Sequence, residues 1–443
     1  MSASPLRVAI NAQVTPAHGV GGVQSVVAAL ITALGRLDDG DEQYIVVGPW
    51  EDTDWLRPYL GPNQCLVRGE RPAWAVDTSS GVGAVRAKAV GGVRRAKPLV
   101  RRFLEGPRSY TPAAPEWPQP PVSKGFFEGL GCHVVHFPYQ YFTFCALPSV
   151  YNPHDLQHRH FPQFFATQML VWRETVMRGA CALATTVVTA SEWIKQDLIR
   201  QHGTPADKIQ VIPWAPPTLA EAAPDEATIT AVRRRLGFDE PFAYYPAMTW
   251  EHKNHLRLLQ AVALLRDRRD LRVRLVCSGQ RHEPHWSRIR DELRRLDLER
   301  QVSFLGMIPA GELRSLYGLA TCVVVPTLFE AASGPMFEAW LEGTPVACSN
   351  VTSLPEQAGD AALLFDPLSV DAIADALGAL MSDSAVRDSL AERGTARLAA
   401  FDLERTARAY RAVYRRCAHL PLSADDELLL AWNWMRDREP PAR

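Results

Sequence analysis

Two glutamates bracket a turn of small residues in the stretch PTLFEAASGPMFEAWLEGTPVACS, residues 326–349. Glu330 and Glu338 have seven residues between them, among them Ser333, Gly334 and Pro335. Proline suits the first position of a helix, and Ser333 or Gly334 suits its cap. A helix that starts there, with Met336 in its first turn, points unpaired N–H groups and a partial positive charge at what lies before it. That chemistry holds an anion such as a phosphate. Glu338 falls one turn inside and leans back toward the helix start, where its carboxylate can accept two hydroxyl hydrogen bonds from a ribose. Glu330 follows the apolar run Cys322-Val323-Val324-Val325 and reaches the far side of the phosphate, where the hydroxyls of a sugar would sit. The plainer reading is a strand, a turn and an amphipathic helix with two solvated acids.

Three other loops carry candidate chemistry. In YYPAMTWEHKNHLRLLQA, residues 244–261, a strand ends and Lys253 stands near a helix start, where a diphosphate would lie. A lysine there acts as a point charge on phosphate oxygens; the plainer reading is a surface lysine. In YNPHDLQHRHFPQFF, residues 151–165, the His154, His158 and His160 spacing invites a metal reading. The following Phe-Pro and the lack of a distant Cys or Glu to complete the set argue against one, so no metal site is expected. A single buried His154 that hydrogen-bonds a substrate or leaving oxygen is the favoured reading, with His158 and His160 left to packing or solvent. In HGVGGVQSVV, residues 18–27, Gly21 and Gly22 precede a helix, so backbone N–H groups can approach an anion closely. The glycine spacing does not match a dinucleotide-binding fingerprint, and a simple tight turn explains the glycines equally well.

Elements that bring such loops together are legible in the pattern. Apolar runs alternate with helical periodicity in both halves of the chain. In the first half the runs are LRVAINAQV, QYIVVGP, CHVVHFP, LPSVYNPHDL, LATTVVTAS and KIQVIPWAPP. In the second they are FAYYPAM, VRLVCSG, VSFLG, CVVVPT, PVACS and ALLFD. This alternation predicts an α/β protein with two doubly wound parallel sheets and ligands between the carboxyl ends of their strands. A first domain is expected over residues 1–216, a second over 217–410, and a helical tail over 411–443.

Bulk properties agree. A chain of 443 residues is too long for one core. A net charge of −1 offers no global argument for nucleic acid as partner. Eight scattered cysteines without a Cys-x-x-Cys read as reduced, buried thiols. No signal-peptide pattern or spanning-length apolar run is present, so a cytoplasmic protein is expected. Between about residues 68 and 124 the alternation breaks into an Arg/Lys-rich and then Pro-rich insertion. It reads as a solvated loop, or as a basic patch for anionic lipid or an anionic acceptor on the inner face of the plasma membrane.

Taken together, GGVQS, HDLQH, HKNH, LVCSG, VSFLG, Glu330-x7-Glu338 and TSLPEQAGDAALLFDP resemble the retaining, nucleotide-sugar-dependent glycosyltransferases of family four, which have the GT-B fold. The last motif, following a Glu-x7-Glu element, is the most specific. The resemblance makes Lys253 the basic residue on the donor diphosphate, Glu338 the ribose-binding glutamate and Glu330 the one that faces the donor sugar. It puts Ser333, Gly334 and Met336 at the phosphates, Gly21 and Gly22 in the loop that closes on them, and His154 close to the transferred sugar. The backbone around Phe304, Leu305, Met307 and Ile308 resembles the base-binding segment, and the family's last helix returns to the first domain, which implies that LERTARAYRAVYRR and the tail after it pack back there. There are departures. Many members have an arginine five residues before the lysine, where this chain has Met248, and Ala331-Ala332-Ser333 replaces the usual Gly-Phe-Gly-like lining.

The expected activity is transfer of a hexose, GDP-mannose being the first donor considered and UDP-linked hexoses next, to a carbohydrate or lipid-linked acceptor hydroxyl. The resemblance implies retention by front-face attack, with neither metal nor cofactor. Bacterial surface polysaccharide or glycolipid assembly is the usual setting. The alternatives are a sugar-nucleotide epimerase of the same fold and a non-catalytic nucleotide-sugar-binding protein. A hinge is expected near residues 213–217.

Overall fold

The computed structural model describes residues 5–14, 22–70, 120–214 and 223–434. Gly21 and most of the basic insertion lie outside them. Seven strands form the first sheet: β1 (Arg7–Asn11), β2 (Gln43–Gly48), β3 (Gln64–Arg68), β4 (Val134–Phe137), β5 (Ser149–Tyr151), β6 (Thr186–Thr189) and β7 (Ile209–Val211). Helices α1 (Gly22–Gly35), α2 (Thr167–Leu183) and α3 (Glu192–His202) connect them. The order is β3-β2-β1-β4-β5-β6-β7, and every pairing is parallel.

After α4 (Glu226–Leu236), the second sheet is built from β8 (Phe242–Pro246), β9 (Arg274–Ser278), β10 (Val302–Phe304), β11 (Cys322–Val325), β12 (Val346–Ser349) and β13 (Ala362–Phe365). Its order is β10-β9-β8-β11-β12-β13, again parallel. The intervening helices are α5 (His255–Arg269), α6 (His285–Arg295), α7 (Ala310–Leu319), α8 (Gly334–Leu341), α9 (Leu354–Ala358), α10 (Val370–Ser382) and α11 (Ser384–Leu398). In each sheet the strand order reverses at one point, between β1 and β4 and between β8 and β11. Ligands of such sheets bind in the crevice at that reversal, outside the carboxyl ends.

Two further helices, α12 (Leu403–Cys417) and α13 (Ala424–Ala431), leave the second sheet and cover one face of the first. Strand alternation sends Val8 and Ile10 to that face, where they pack with Leu30, Leu34, Tyr410, Val413, Tyr414 and Trp434. Ala9, between them, faces a second core with Met177 of α2 and Ile194 of α3. Charge anchors the crossing helix: Arg408 and Arg411 both bind Asp39, and Arg415 joins Glu42 to Asp426. The Arg411 guanidinium holds the Asp39 carboxyl down at about 2. All eight cysteines are free thiols, and only Cys65 is exposed.

Five elements had no sequence signal strong enough to be named in advance: β3, α2, α9, α11 and α4, whose stretch reads as a linker. Strand β3 is an edge strand with Cys65 and Arg68 exposed, so its alternation is faint. Helix α11 buries only Leu390 and Gly394 and lacks an apolar stripe. Helix α2 buries a contiguous block from Glu174 to Met177 but exposes Met169, Val171 and Trp172, which hides its period.

Candidate functional site

The loops after β8 and β11 meet at the reversal point of the second sheet. Glu251–Lys253 forms one tight turn, and Asn254 then takes a left-handed conformation (φ 60°) before α5 begins. Asn254 Nδ2 donates to the carbonyls of Pro326 and Pro367 at 2.9 and 2.8 Å. Leu328 N donates to the His252 carbonyl, and Tyr245 Oη to that of Lys253. Stitched in this way, the two loops set Lys253 Nζ 2.6 Å from Glu330 Oε2, with the side chains 22% and 17% exposed. Burial pushes the Glu330 carboxyl up, and Lys253 opposes that shift. Burial also drives His252 down to about 2, so it adds no charge to the loop.

The helix start is capped by Ser333, whose Oγ accepts from Met336 N at 3.3 Å, with Pro335 in the first turn. Ser333 N in turn donates to Gln357 Oε1, and Gln357 Nε2 donates to the Ala331 carbonyl. Ser333 N and Met336 N, both expected to face phosphate, each have an internal acceptor in this conformation. Pro335 has no N–H to give, which leaves Gly334. One turn on, Glu338 Oε2 accepts from Tyr317 Oη at 2.5 Å. Tyr317 packs edge-on against Tyr244, whose hydroxyl bonds Ser278 Oγ at 2.6 Å. The Glu338 carboxylate is therefore oriented from beneath, and its Oε1 lies beside Gly334.

The segment after β10 closes the same end of the sheet. Gly306 turns it with φ 75°, and its carbonyl accepts from Gly279 N at 2.8 Å. Leu305 and Ile308 pack half-buried on the core, while Met307 is 47% exposed. Arg281 donates to the Phe304 carbonyl, and Arg235 to that of Leu305. Gly279 itself sits at φ 123°, where a Cβ would stand 2.6 Å from the Ala247 carbonyl carbon. Only glycine permits the Ala247-Met248 backbone to pass so close.

Across the cleft, His154 follows β5 in a left-handed conformation (φ 64°), which a residue with a Cβ adopts at a cost. The ring is buried against Trp214, with centroids 4.7 Å apart. Burial holds it at about 4, hence neutral at neutral pH. The Pro138 carbonyl lies near it, but among the described residues neither nitrogen makes a well-formed hydrogen bond. Asp155 accepts from Gln157 N and, at 3.5 Å, from Arg173. Its charge reaches across to Glu330 and adds to the upward push there. The other histidines of the loop diverge. His158 bonds Glu174 at 3.3 Å and His160 bonds Asp197 at 2.8 Å. Both therefore anchor the loop to α2 and α3. Gly22 is the exposed first residue of α1.

Lys253, Glu330, the α8 start and Glu338 thus stand together at the reversal of the second sheet, and Asp155, the neighbour of His154, acts on Glu330 from the first sheet. Two sequence profiles match this chain: Glycosyltransferase Family 4 over residues 20–215 and Glycosyl transferases group 1 over residues 229–397. The chain is a family-four glycosyltransferase of the GT-B fold.

This glycosyltransferase is 29% identical over 276 residues to the O-antigen chain mannosyltransferase B of Escherichia coli, covering 61% of this chain and 71% of that protein. It is 32% identical over 230 residues to the D-inositol 3-phosphate glycosyltransferase of Corynebacterium glutamicum (strain R), covering 49% and 54%. The chain thus spans little more than half the length of that second relative. In fold it resembles Anabaena Alr3699/HepE, solved with UDP-glucose, with a TM-score of 0.64 at 16% identity over 93% of this chain and 100% of that one.

Sequence reasoning overlooked several residues of the transferase's site. Thr352 Oγ1 accepts from Glu330 N and donates to the Glu330 carbonyl at 2.7 Å. Tyr317 and Gln357 hold Glu338 and the 331–333 tripeptide. Asn152, two residues before His154, bonds His136 Nε2 and Tyr410, and His136 Nδ1 bonds Tyr414. Gln357 and Thr352 lie within the TSLPEQAG motif, so the signal was present without its role.

Proposed function

We propose that this glycosyltransferase moves a hexose, mannose first, from a nucleoside-diphosphate sugar to an acceptor hydroxyl with retention of configuration. The observation that carries the reading is the Lys253–Glu330 pair beside the α8 start, with Asp155 of the other sheet acting on Glu330. In the proposed reaction the bond between sugar C1 and the β-phosphate oxygen breaks as C1 bonds the acceptor oxygen on the same face. The acceptor proton passes to the departing phosphate oxygen. Lys253, the Gly334 N–H and the positive end of α8 meet the charge that develops there, and in this reading they supply the positive charge without a metal. Glu338 binds the ribose, and the backbone from Leu305 through Met307 to Ile308 binds the base. Glu330 and neutral His154 face the hexose, with His154 donating or accepting without carrying charge. The Gly21-Gly22 loop closes on the diphosphate.

The mannosyltransferase of Escherichia coli supports mannose as the sugar and a surface polysaccharide or glycolipid as acceptor. The UDP-glucose complex of HepE supports a nucleotide-sugar donor and makes uracil the second base to test after guanine. No helix among the described residues is long and apolar enough to cross a membrane. A cytoplasmic site of action at the inner face of the membrane is part of this proposal, because a nucleotide-sugar donor is its substrate. A thermal-shift screen against GDP-, UDP-, dTDP- and ADP-sugars, followed by anomeric analysis of the product, tests the reading. Stabilisation by one donor and an α-linked product from an α-linked donor is expected. Stabilisation without sugar release, or an inverted product, refutes it.

A further inference from the structure

The short helix α9 and the residues just before it touch two things at once. On one side, Thr352 and Gln357 hold the backbone of Glu330, Ala331 and Ser333. On the other, Ser353 Oγ bonds Ser191 Oγ at 2.8 Å, and Glu356 Oε1 accepts from Trp193 N at 3.1 Å. Ser191 caps α3 and Trp193 lies in its first turn. Glu356 therefore satisfies one of the orphan donors of a helix in the opposite domain, aided by that helix's positive end. Arg397 fixes the far end of α9 by bonding the carbonyls of Glu356 and Gln357.

The residue before Glu330 makes the second half of this clasp. The Phe329 ring lies 5.4 Å from that of His160, 5.7 Å from Trp193 and 6.2 Å from Phe161. His160 is held in that socket by Asp197. Phe329 is 3% exposed, buried by side chains of the other domain. Both contacts thus grip the start of α3, and both are one residue or one hydrogen bond away from the backbone that aims Glu330.

We propose that Phe329 and Glu356 are positioning residues that set Glu330 and the α8 start against the first domain by clasping the start of α3. The inference rests on the sugar-transfer reading of the site. Separating the domains at this edge would free Phe329 and shift the backbone of Glu330. A misplacement of about 1 Å can cost on the order of 100-fold in rate.

The test uses the full-length protein and Phe329→Ala, Phe329→Leu, Glu356→Ala, Glu356→Gln, Trp193→Ala and Trp193→Ala/Phe329→Ala. Two quantities are read: kcat for nucleoside-diphosphate release from GDP-mannose or UDP-glucose, and the affinity for GDP and UDP by calorimetry. Expected are kcat losses of roughly 10- to 100-fold in Phe329→Ala and Glu356→Ala with nucleotide affinity within about two-fold of wild type. Glu356→Gln, which keeps the acceptor oxygen, and Phe329→Leu, which keeps the bulk, recover part of the rate. The double variant loses no more than its worse parent, because each single change already breaks the shared contact. Unchanged kcat, losses that multiply in the double variant, or nucleotide affinity that falls in step with kcat would overturn the proposal. Failure of the wild type to bind any of GDP, UDP, dTDP and ADP refutes the functional reading instead. Small-angle scattering then decides the clasp: a larger radius of gyration in Glu356→Ala and Phe329→Ala upholds it, and an unchanged one rejects it.

Discussion

Replacing Lys253 with alanine separates the two roles of the 2.6 Å ion pair. Removing the ammonium leaves the Glu330 carboxylate buried and without its counter-charge. Such a group escapes the penalty by taking up a proton. The most it can cost at about pH 7 is protonation from its ordinary value of 4.5, about 1.36 × 2.5 or roughly 3.4 kcal/mol. Both side chains keep about a fifth of their exposure, so a loss of ~1–3 kcal/mol is expected. The sign follows from proton counting. Glu330 in the variant has a folded value further above 4.5, so between those two values the native state binds more protons than the unfolded one. The stability deficit therefore grows as pH rises through that window, and near pH 5 it shrinks below about 1 kcal/mol. Urea denaturation at pH 5, 6, 7 and 8 reads it directly. Lys253→Ala/Glu330→Gln should recover the stability but not the activity, because the charge on the leaving phosphate is still missing. Sugar transfer by both variants should fall by about 100- to 1000-fold, the usual effect of one preorganised donor in a water-poor site. A Lys253→Ala enzyme with near-normal transfer, or a deficit independent of pH, would refute the reasoning.

The same logic applies elsewhere in the site. Tyr317→Phe removes the hydroxyl that orients Glu338 and should weaken donor binding by about ten-fold, with Glu338→Ala weaker still, measured by calorimetry. Gly279→Ala forces a Cβ to within 2.6 Å of the Ala247 carbonyl carbon at φ 123°; a loss of ~2 kcal/mol or more in urea denaturation is expected. Acid should destabilise the fold from two sources. His136 and His154, held near 4 by burial, stay neutral while their unfolded counterparts protonate from 6.5 downward, so stability falls between those values by up to ~3 kcal/mol for each. Asp39, held at about 2, adds a further loss below 3.8. Thermal melting that is flat from pH 6.5 to 4 would contradict this account.

Much of the donor site was legible in the residues. Pro335 after Ser333 and Gly334 announced a helix start, and apolar runs placed Lys253 and Glu330 at strand ends. Those are local properties of a few neighbouring residues, and a sequence carries local information directly. Its partners were not legible. Ser333 looked like a free donor because the acceptor for its N–H lies 24 residues away on Gln357; the acceptor of Met336 N is the Ser333 cap itself, three residues away. Tyr317 and Glu338 are 21 apart, and His136 meets Tyr414 across 278 residues. Neither periodicity nor motif spacing encodes such pairings; only the order in which strands assemble creates them.

By itself, the sequence determined that two parallel sheets form, where their strands end, and which charged residues stand at those ends, since side-chain alternation, caps and turn residues act over a few bonds. Tertiary structure alone decided that Lys253 spends its charge on Glu330 and that burial keeps His154 neutral. It also decided which side chains of α12 meet the first sheet and that Phe329 and Glu356 grip the start of α3. Each of those outcomes depends on burial and on contacts between distant segments, and neither exists until the chain has folded.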